Sequence, residues 1–501
     1  MCGEAMKKSQ VFLLNALIMT VTSLAMSSIG VWFNLYISNR LGAVGMGAFQ
    51  LMMSVYSMAT TFAASGINLA ATRMVAEETV SKQGNVRGAM RRCIGFSLLF
   101  GGLTGLALWF GGPYIGLHWL QNADTVRPLR LMAFSMPFLS VCCALNGYFT
   151  AVRRVVKAVA SQVLEQFLKI ALTIFALACL VPPGLEYACL AITGAGVLAE
   201  AGSCLFELAL YLIDRRRYHG SRSPHLTRKL CGIALPVAFS SYLRSGLATV
   251  KHLLVPVRLQ AGGLAAADSV AVFGAVHGVA LPVILFPYAF LNAFNCLIVP
   301  ELAQSHSLKE DVAGMIDRMF ALTLGCSIGV CGIVFAFSGG IGAAISENPD
   351  VGIYIRLLAP VIPVMYLDTA VDNMLKGLDE QLSVMRYNVI DALFSLAAVW
   401  LLLPVLGIKG YILIICGSEV FNFSLSLWRL VKVTQFRLDL FERVVRPVLC
   451  IAIAVLLGRL AVEAASLPLS QLRTITAATV SGLAYLLLLR VTCCKPGKIP
   501  A

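Results

Sequence analysis

Three basic residues on one predicted helix are the residues in this sequence best spaced to bind an anion. Arg244, Lys251 and Arg258 follow one another at intervals of seven residues. On an α-helix they therefore lie close to one line, about 10 Å apart along the axis. Guanidinium forks suit phosphate or carboxylate groups, and an ammonium group acts as a mobile point charge. The spacing predicts an anion-binding surface on this helix. The alternative is that Arg258 reaches solvent and Lys251 pairs with a neighbouring acid.

A second group of candidates is acidic and recurs at matched positions in the two halves of the chain. These residues are Glu165, Glu200, Asp391 and Glu419. Their recurrence favours a shared role in packing, and the alternative is proton or cation coupling. Glu165 also stands four residues before Lys169, a spacing typical of a helical ion pair. Asp368 and Asp372 share that spacing and predict either a cation site or a solvated helix end. For His252 and His277 both a structural role and a place in the anion site stay open.

Catalytic signatures are missing from the sequence. It contains no H-E-x-x-H motif, no Gly-rich phosphate loop ending in Lys-Ser/Thr and no nucleophile elbow. We therefore expect no metal, no cofactor, no ATP site and no enzymatic activity.

Composition places the chain in a membrane. Its 501 residues have a mean hydropathy of +0.83, with 58% hydrophobic and 13% charged residues. Ordinary soluble domains carry about 25% charged residues. A chain this apolar would expose far too much hydrocarbon to water, which excludes a soluble fold. The net charge of +14 is then better explained by basic cytoplasmic loops than by a nucleic-acid partner.

Fourteen apolar stretches are long enough to span a bilayer. They lie at about 11–37, 48–72, 93–117, 131–151, 158–181, 187–212, 231–255, 270–299, 319–338, 357–375, 388–406, 410–430, 446–463 and 472–490. With the N-terminus inside, only seven of the 39 Lys and Arg fall in outer loops. Those seven are Arg40, Arg127, Arg130, Arg258, Arg356, Lys409 and Arg473. This bias predicts a plasma-membrane protein with both termini in the cytoplasm.

An internal repeat divides these spans. Asn39-Arg40-Leu41 matches Val257-Arg258-Leu259, and Glu165 matches Asp391 at a separation of 226 residues. Each copy holds six spans, so both copies have the same orientation in the membrane. The sequence predicts an all-α protein with two parallel six-helix lobes around a central cavity, followed by two extra helices. The boundaries are 7–218, 219–432 and 433–492. Arg40, at the repeat position of Arg258, joins the candidate anion site.

Several segments resemble one family. They are Gly45–Leu51, Ala71–Glu77, Ala160–Lys169, Val255–Gly263 and Val299-Pro300-Glu301. Together they resemble the stage V sporulation protein B and polysaccharide-biosynthesis branch of the multidrug/oligosaccharidyl-lipid/polysaccharide flippase superfamily.

The resemblance implies a flippase that moves an undecaprenyl-pyrophosphate-linked oligosaccharide or peptidoglycan precursor from the inner to the outer leaflet. It also implies a role in peptidoglycan or spore-cortex assembly, with the lipid-linked sugar pyrophosphate and membrane lipids as partners. We expect a monomer. The cationic first lobe of the lipid II flippase is not matched, because the first span has no charge before Arg40. The alternatives are a cation-coupled multidrug exporter of the same superfamily and a membrane glycosyltransferase or polymerase.

Overall fold

The computed structural model of the chain describes residues 2–80, 85–179, 184–215, 226–292, 302, 305, 312–434, 441–465 and 470–493. Within those residues the regular structure is entirely helical. The motif Val299-Pro300-Glu301 lies outside the described residues. Helices are the expected outcome for long apolar runs, since the backbone must satisfy its own hydrogen bonds inside a bilayer.

Sixteen α-helices follow one another along the described chain. The first eight are α1 Cys2–Ala64, α2 Ile67–Val80, α3 Val86–Tyr114, α4 Val126–Ala133, α5 Ser135–Ala151, α6 Val155–Cys179, α7 Leu185–Asp214 and α8 Leu226–Ala261. The others are α9 Ala266–Phe273, α10 Leu281–Leu285, α11 Ala313–Ile345, α12 Asp350–Leu358, α13 Ile362–Gly377, α14 Gln381–Thr434, α15 Arg446–Ala465 and α16 Ser470–Cys493. A π-helical segment, Gly274–Ala280, joins α9 to α10.

Two of these helices are long enough for two spans each. A straight helix with the 54 residues of α14 would measure about 81 Å, against a hydrocarbon core of about 30 Å. Both are interrupted by a glycine with positive φ, Gly42 (φ 69°) in α1 and Gly407 (φ 55°) in α14. Residues with a Cβ are strained in that region of φ, so glycine permits the break.

The number of spans agrees with the sequence. Eleven helical segments of the described chain are long and apolar enough to cross a membrane, and a bent pair, Ala123–Ala133 with Ser135–Ala151, makes a twelfth. Counting each double-length segment as two gives fourteen. Large apolar side chains such as Phe110 and Phe239 are 75% and 73% exposed, as lipid-facing side chains would be. The prediction of an all-α multi-pass membrane protein is confirmed.

Contacts divide the chain into two compact units. The first comprises Met1–Met26 and Gly47–Pro256, and the second comprises Ser27–Met46 and Val257–Ala501. The unit boundaries therefore fall inside α1 and α8. The lobe boundaries 7–218, 219–432 and 433–492 describe the repeat along the chain and stay a prediction, as does the central cavity.

Each unit has its own hydrophobic core. In the first unit, Met74, Met90, Leu145 and Tyr148 are fully buried among α2, α3, α5 and α7. The corresponding core of the second unit includes Met319, Phe320, Met374 and Leu375, contributed by α11 and α13. The extra helices α15 and α16 also pack into this second core, through residues such as Cys450 and Tyr485.

The repeat is visible in the backbone of each unit. Asn122 accepts a hydrogen bond from the Asp124 amide at 2.9 Å, and Asn348 accepts one from the Asp350 amide at 3.0 Å. Positive φ at a residue other than glycine occurs in the described residues at Gln121 (52°), Arg153 (57°) and Asp379 (63°), and the last two are repeat counterparts. Asn122 and Asn348 are separated by 226 residues, as are Arg153 and Asp379, and this is the interval found in the sequence. The two halves therefore share the local turns at these two positions.

Candidate functional site

The first two members of the predicted cationic line lie on α8 in the first unit. Arg244 is exposed and Lys251 is half-buried. Within the described residues neither side chain forms a hydrogen bond or an ion pair, so Lys251 has no acidic partner there. An unpaired cation at mid-membrane depth costs roughly 2.5–3.5 kcal/mol on insertion scales. That cost favours placement of both side chains where water or an anion reaches them.

Arg258 behaves differently and lies in the second unit. Its guanidinium carbon stands 4.1 Å from the centre of the Trp400 ring. Nε and Nη2 both donate to the Trp400 carbonyl oxygen, at 3.1 and 2.8 Å. Stacking and two hydrogen bonds hold the side chain against α14, which is a structural use of a guanidinium group. Arg40, also in the second unit, is exposed and lies 5.6 Å from the Tyr36 ring centre.

The two histidines serve packing within their own units. His252 Nδ1 lies 3.0 Å from the Ser54 hydroxyl, and Thr249 donates to the Ser54 carbonyl at 3.1 Å. These contacts join α8 to the second half of α1. His277, in the π-helical segment, packs against the rings of Phe273 and Tyr411 at 4.6 and 6.1 Å. The structural role left open in the sequence accounts for both.

Glu165 and Glu200 belong to a polar cluster in the first unit. Tyr56 donates to Glu200 Oε1 at 2.5 Å, and Ser203 donates to Glu165 Oε2 at 3.4 Å. Lys169 lines a small cavity with Glu200 and does not form a direct ion pair with Glu165. Lys169 nevertheless lies close enough to interact electrostatically with Glu165, as the i, i+4 spacing predicts, and Glu165 also accepts a hydrogen bond from Ser203 on α7.

The acids of the second unit form a larger cluster on α13 and α14. Ser418 donates to Asp391 at 2.6 Å, and Asn422 donates to Asp368 at 3.0 Å. Glu419 lies close enough to interact electrostatically with Asp368.

Asp372 is part of the same cluster. It is 9% exposed and accepts from Ser426 at 3.0 Å and from Asn388 at 3.2 Å. A solvated helix end is thus wrong for Asp372, because neighbouring side chains occupy its oxygens.

Six residues of the second cluster have counterparts at the repeat positions of the first unit. The matched pairs are Cys142 and Asp368, Asn146 and Asp372, Glu165 and Asp391, Glu200 and Glu419, Ser203 and Asn422, and Glu207 and Ser426. Only two of the six positions are acidic in both halves, and these are the ones the sequence singled out. Sequence reasoning missed Glu207, which is fully buried, because its counterpart is a serine. Among the described residues no group of His, Cys, Asp or Glu has a metal-binding arrangement.

The sequence is similar to a known protein family and to a sporulation protein. The family description "Polysaccharide biosynthesis protein" matches residues 12–289. Stage V sporulation protein B of Bacillus subtilis (strain 168) is 23% identical over 428 residues, which is 82% of each chain.

Two solved structures show the same fold. A structure of the lipid II flippase MurJ in an inward closed conformation superposes with a TM-score of 0.73 at 11% identity, covering 95% of this chain and 98% of that one. An inward-facing multidrug resistance MATE family transporter of the MOP superfamily gives a TM-score of 0.63 at 15% identity, covering 83% of this chain and 98% of its own. The family match covers more than half of the sequence, and the chain therefore belongs to the polysaccharide biosynthesis protein family.

Proposed function

We propose that this protein is a flippase, which moves an undecaprenyl-pyrophosphate-linked oligosaccharide or peptidoglycan precursor from the inner to the outer leaflet by alternating access. Its family, the sporulation relative and the fold shared with a lipid II flippase support this proposal. We further propose a transporter without enzymatic activity, which works as a monomer in the plasma membrane with both termini cytoplasmic. It uses no ATP, cofactor or metal.

The observation that carries the proposal is the pair of cations on α8. Arg244 and Lys251 are two turns apart on one helix, and no acidic side chain of the described residues neutralises them. A pyrophosphate cargo supplies the missing negative charge, and its bidentate oxygens suit the guanidinium fork. Arg258 and Arg40, which belong to the second unit, are proposed as further substrate contacts. The guanidinium of Arg258 retains unused N–H donors beside Trp400.

The four recurring acids are proposed to hold each bundle together. Glu165, Glu200 and Asp391 accept hydrogen bonds from serine or tyrosine hydroxyls on other membrane spans of their own units. Glu419 lies within the second cluster. Hydrogen bonds of this kind join transmembrane helices, and they give the acids a role that needs no coupling ion.

A leaflet-translocation assay with the purified chain in liposomes tests the proposal. We expect the double substitution Arg244→Ala, Lys251→Ala to reduce flipping of an undecaprenyl-pyrophosphate-linked sugar by at least about tenfold. The matched control Arg244→Lys, Lys251→Arg keeps both charges, and we expect it to retain most of the activity. Unchanged flipping in the double alanine variant would refute the assignment of this site.

A cation-coupled multidrug exporter is the second candidate, favoured by the fold shared with a MATE transporter and by the buried acids. That mechanism would need a membrane-embedded acid in the first or seventh span, and residues 11–37 and 231–255 contain no Asp or Glu. Resistance profiling separates the two. Tolerance of several unrelated cationic drugs on overexpression, together with no translocation of lipid-linked sugar, would favour the exporter.

A further inference from the structure

A pocket of about 240 Å³ opens within the second unit where the first half of α1 ends. Its lining comes from three places along the chain: the end of the first span, the π-helical segment, and the turn between α11 and α12. The lining residues used below are Ser38, Asn39, Gly42, Ala43, Glu347 and Asn348. We call this cavity the Asn39 pocket.

Several polar side chains of the Asn39 pocket have no protein partner. Within the described residues, Ser38, Asn39 and Glu347 form no hydrogen bond or ion pair. Ser38 lines the pocket and is only 6% exposed, whereas Asn39 and Glu347 are exposed. Buried polar groups are nearly always hydrogen-bonded, to protein or to something else. These three side chains therefore leave hydrogen-bonding groups available to a ligand that enters the pocket.

The backbone around the pocket is held in place. Gly42 has φ 69°, and a Cβ built on it would meet nothing within 4 Å. Eight residues earlier on α1, Asn34 donates to the Gly278 carbonyl of the π-helical segment at 2.5 Å. Asn348 bonds both the Ser346 hydroxyl, through its amide, and the Asp350 amide, through its side chain. Single π-turns inside helices are frequent at functional sites.

The charge of the residues that line the pocket indicates which chemical group of a ligand can bind there. The lining contains one carboxylate, Glu347, and none of its residues in the described chain is Lys, Arg or His. A pyrophosphate group would be repelled by that carboxylate, and an acyl chain would cover the buried Ser38 hydroxyl without offering it a hydrogen bond. Amide, carboxylate and hydroxyl groups together match the hydroxyl and acetamido groups of a neutral sugar. The volume lies below the roughly 300–1,000 Å³ of drug-sized pockets, which suits one sugar ring.

We propose that the Asn39 pocket binds a neutral, hydroxylated sugar unit of the cargo, at a site separate from the cations of α8. This inference rests on the proposed function for the identity of the cargo. In the orientation expected from the charge bias, the turns after the first span and between α11 and α12 face the outside. A sugar held there is one that has already crossed, so the pocket delays its return.

The test uses the full chain in detergent, with N,N′-diacetylchitobiose and inorganic pyrophosphate as separate probes in a binding titration followed by saturation-transfer NMR. We expect the disaccharide to bind. The double variant Asn39→Ala, Glu347→Ala removes the unpaired polar groups, and Ala43→Trp fills the cavity. Each should weaken disaccharide binding by about tenfold or more, while pyrophosphate binding stays unchanged.

Gln121→Ala is the matched control, because Gln121 occupies the repeat position of Glu347 in the other half and lies outside this pocket. We expect wild-type disaccharide binding in this variant. The proposed sugar site is refuted if the wild type does not bind the disaccharide, or if binding is unchanged in the Asn39→Ala, Glu347→Ala variant. Asn39 and Glu347 are both exposed. Their substitution by alanine is therefore less of a risk to folding than Ala43→Trp.

The liposome assay separates this inference from the proposed function. Translocation that depends on Arg244 and Lys251, combined with no sugar binding at Asn39, would support the flippase function and refute the sugar site. Sugar binding that is lost on substitution of Asn39, combined with no translocation of lipid-linked sugar, would support the sugar site and refute the flippase function.

Discussion

Removal of the Arg154 guanidinium should destabilise the first unit more than its surface position suggests. Arg154 forms an ion pair with Asp214, the last residue of α7, and that carboxylate is only 1% exposed. Tyr148 donates to the second oxygen of Asp214 at 3.0 Å, and Lys157 lies 3.6 Å from the first. The substitution Arg154→Ala therefore removes the guanidinium group that pairs directly with this buried carboxylate.

The expected magnitude follows from these partners. A hydrogen bond to a charged group contributes roughly 1.5–3 kcal/mol, and breaking a fully buried ion pair costs about 3–5 kcal/mol. The side chain of Arg154 is 30% exposed and Lys157 remains, so the lower range applies, about 2 kcal/mol. For a unit of this size that corresponds to a fall in Tm of roughly 4–8 °C.

The assay is thermal unfolding of the detergent-solubilised chain, followed with a dye that reacts with the buried thiols of Cys93 and Cys204. Because unfolding of membrane proteins is often irreversible, all variants are heated at one scan rate. We expect Asp214→Ala to cost less than Arg154→Ala, since it leaves two cations that water already reaches. The double variant should cost less than the sum of the single ones. Strictly additive shifts, or an Arg154→Ala shift below about 1 °C, would refute the reasoning.

The remaining predictions concern the second unit. At the repeat position of Arg154, Glu380 forms the reversed ion pair with Arg429, at 2.6 Å. The Arg429 guanidinium holds the pKa of Glu380 below its ordinary value of 4.5. The pair therefore stabilises the fold at neutral pH and loses its effect as the pH falls through the lowered pKa. Glu380→Gln should lower Tm at pH 7 and have no effect in strong acid; an equal loss at both pH values would contradict this. Separately, Gly329→Leu should detach α16 from α11, because a Cβ at Gly329 would stand 2.5 Å from Tyr485 Cε1. Limited proteolysis should then cleave before Ser470 faster than in the control Gly325→Ala, whose Cβ meets nothing, and equal cleavage would contradict the packing.

The repeat-related ion pairs show how one fold is kept while residues diverge. Arg154 and Glu380 are 226 residues apart and both follow a residue with positive φ. Each connects the turn before one membrane span to a residue near the end of the following span, with the charges exchanged. The two halves share the backbone turn. The side chain that follows it is a cation in the first half and an anion in the second, and each forms an ion pair within its own unit.

The sequence by itself determined the membrane class, the number of spans and the duplication. Those properties depend on composition and on spacing along one chain. An apolar run of about 20 residues is as long as the hydrocarbon core of a bilayer is thick, so it indicates a membrane span without knowledge of its neighbours. It also found the two acids of each half that recur at matched positions.

Only the tertiary structure decided which side chains meet. Arg258 stacks on Trp400, which is 142 residues away along the chain, and its spacing from Lys251 gave no sign of that contact. Glu207 and Asp214 are buried on α7, although nothing in the periodicity of that helix distinguishes them. Periodicity specifies the face on which a residue lies, whereas its neighbour across that face depends on how separate helices pack. That packing also formed the Asn39 pocket, from three segments that no local pattern connects.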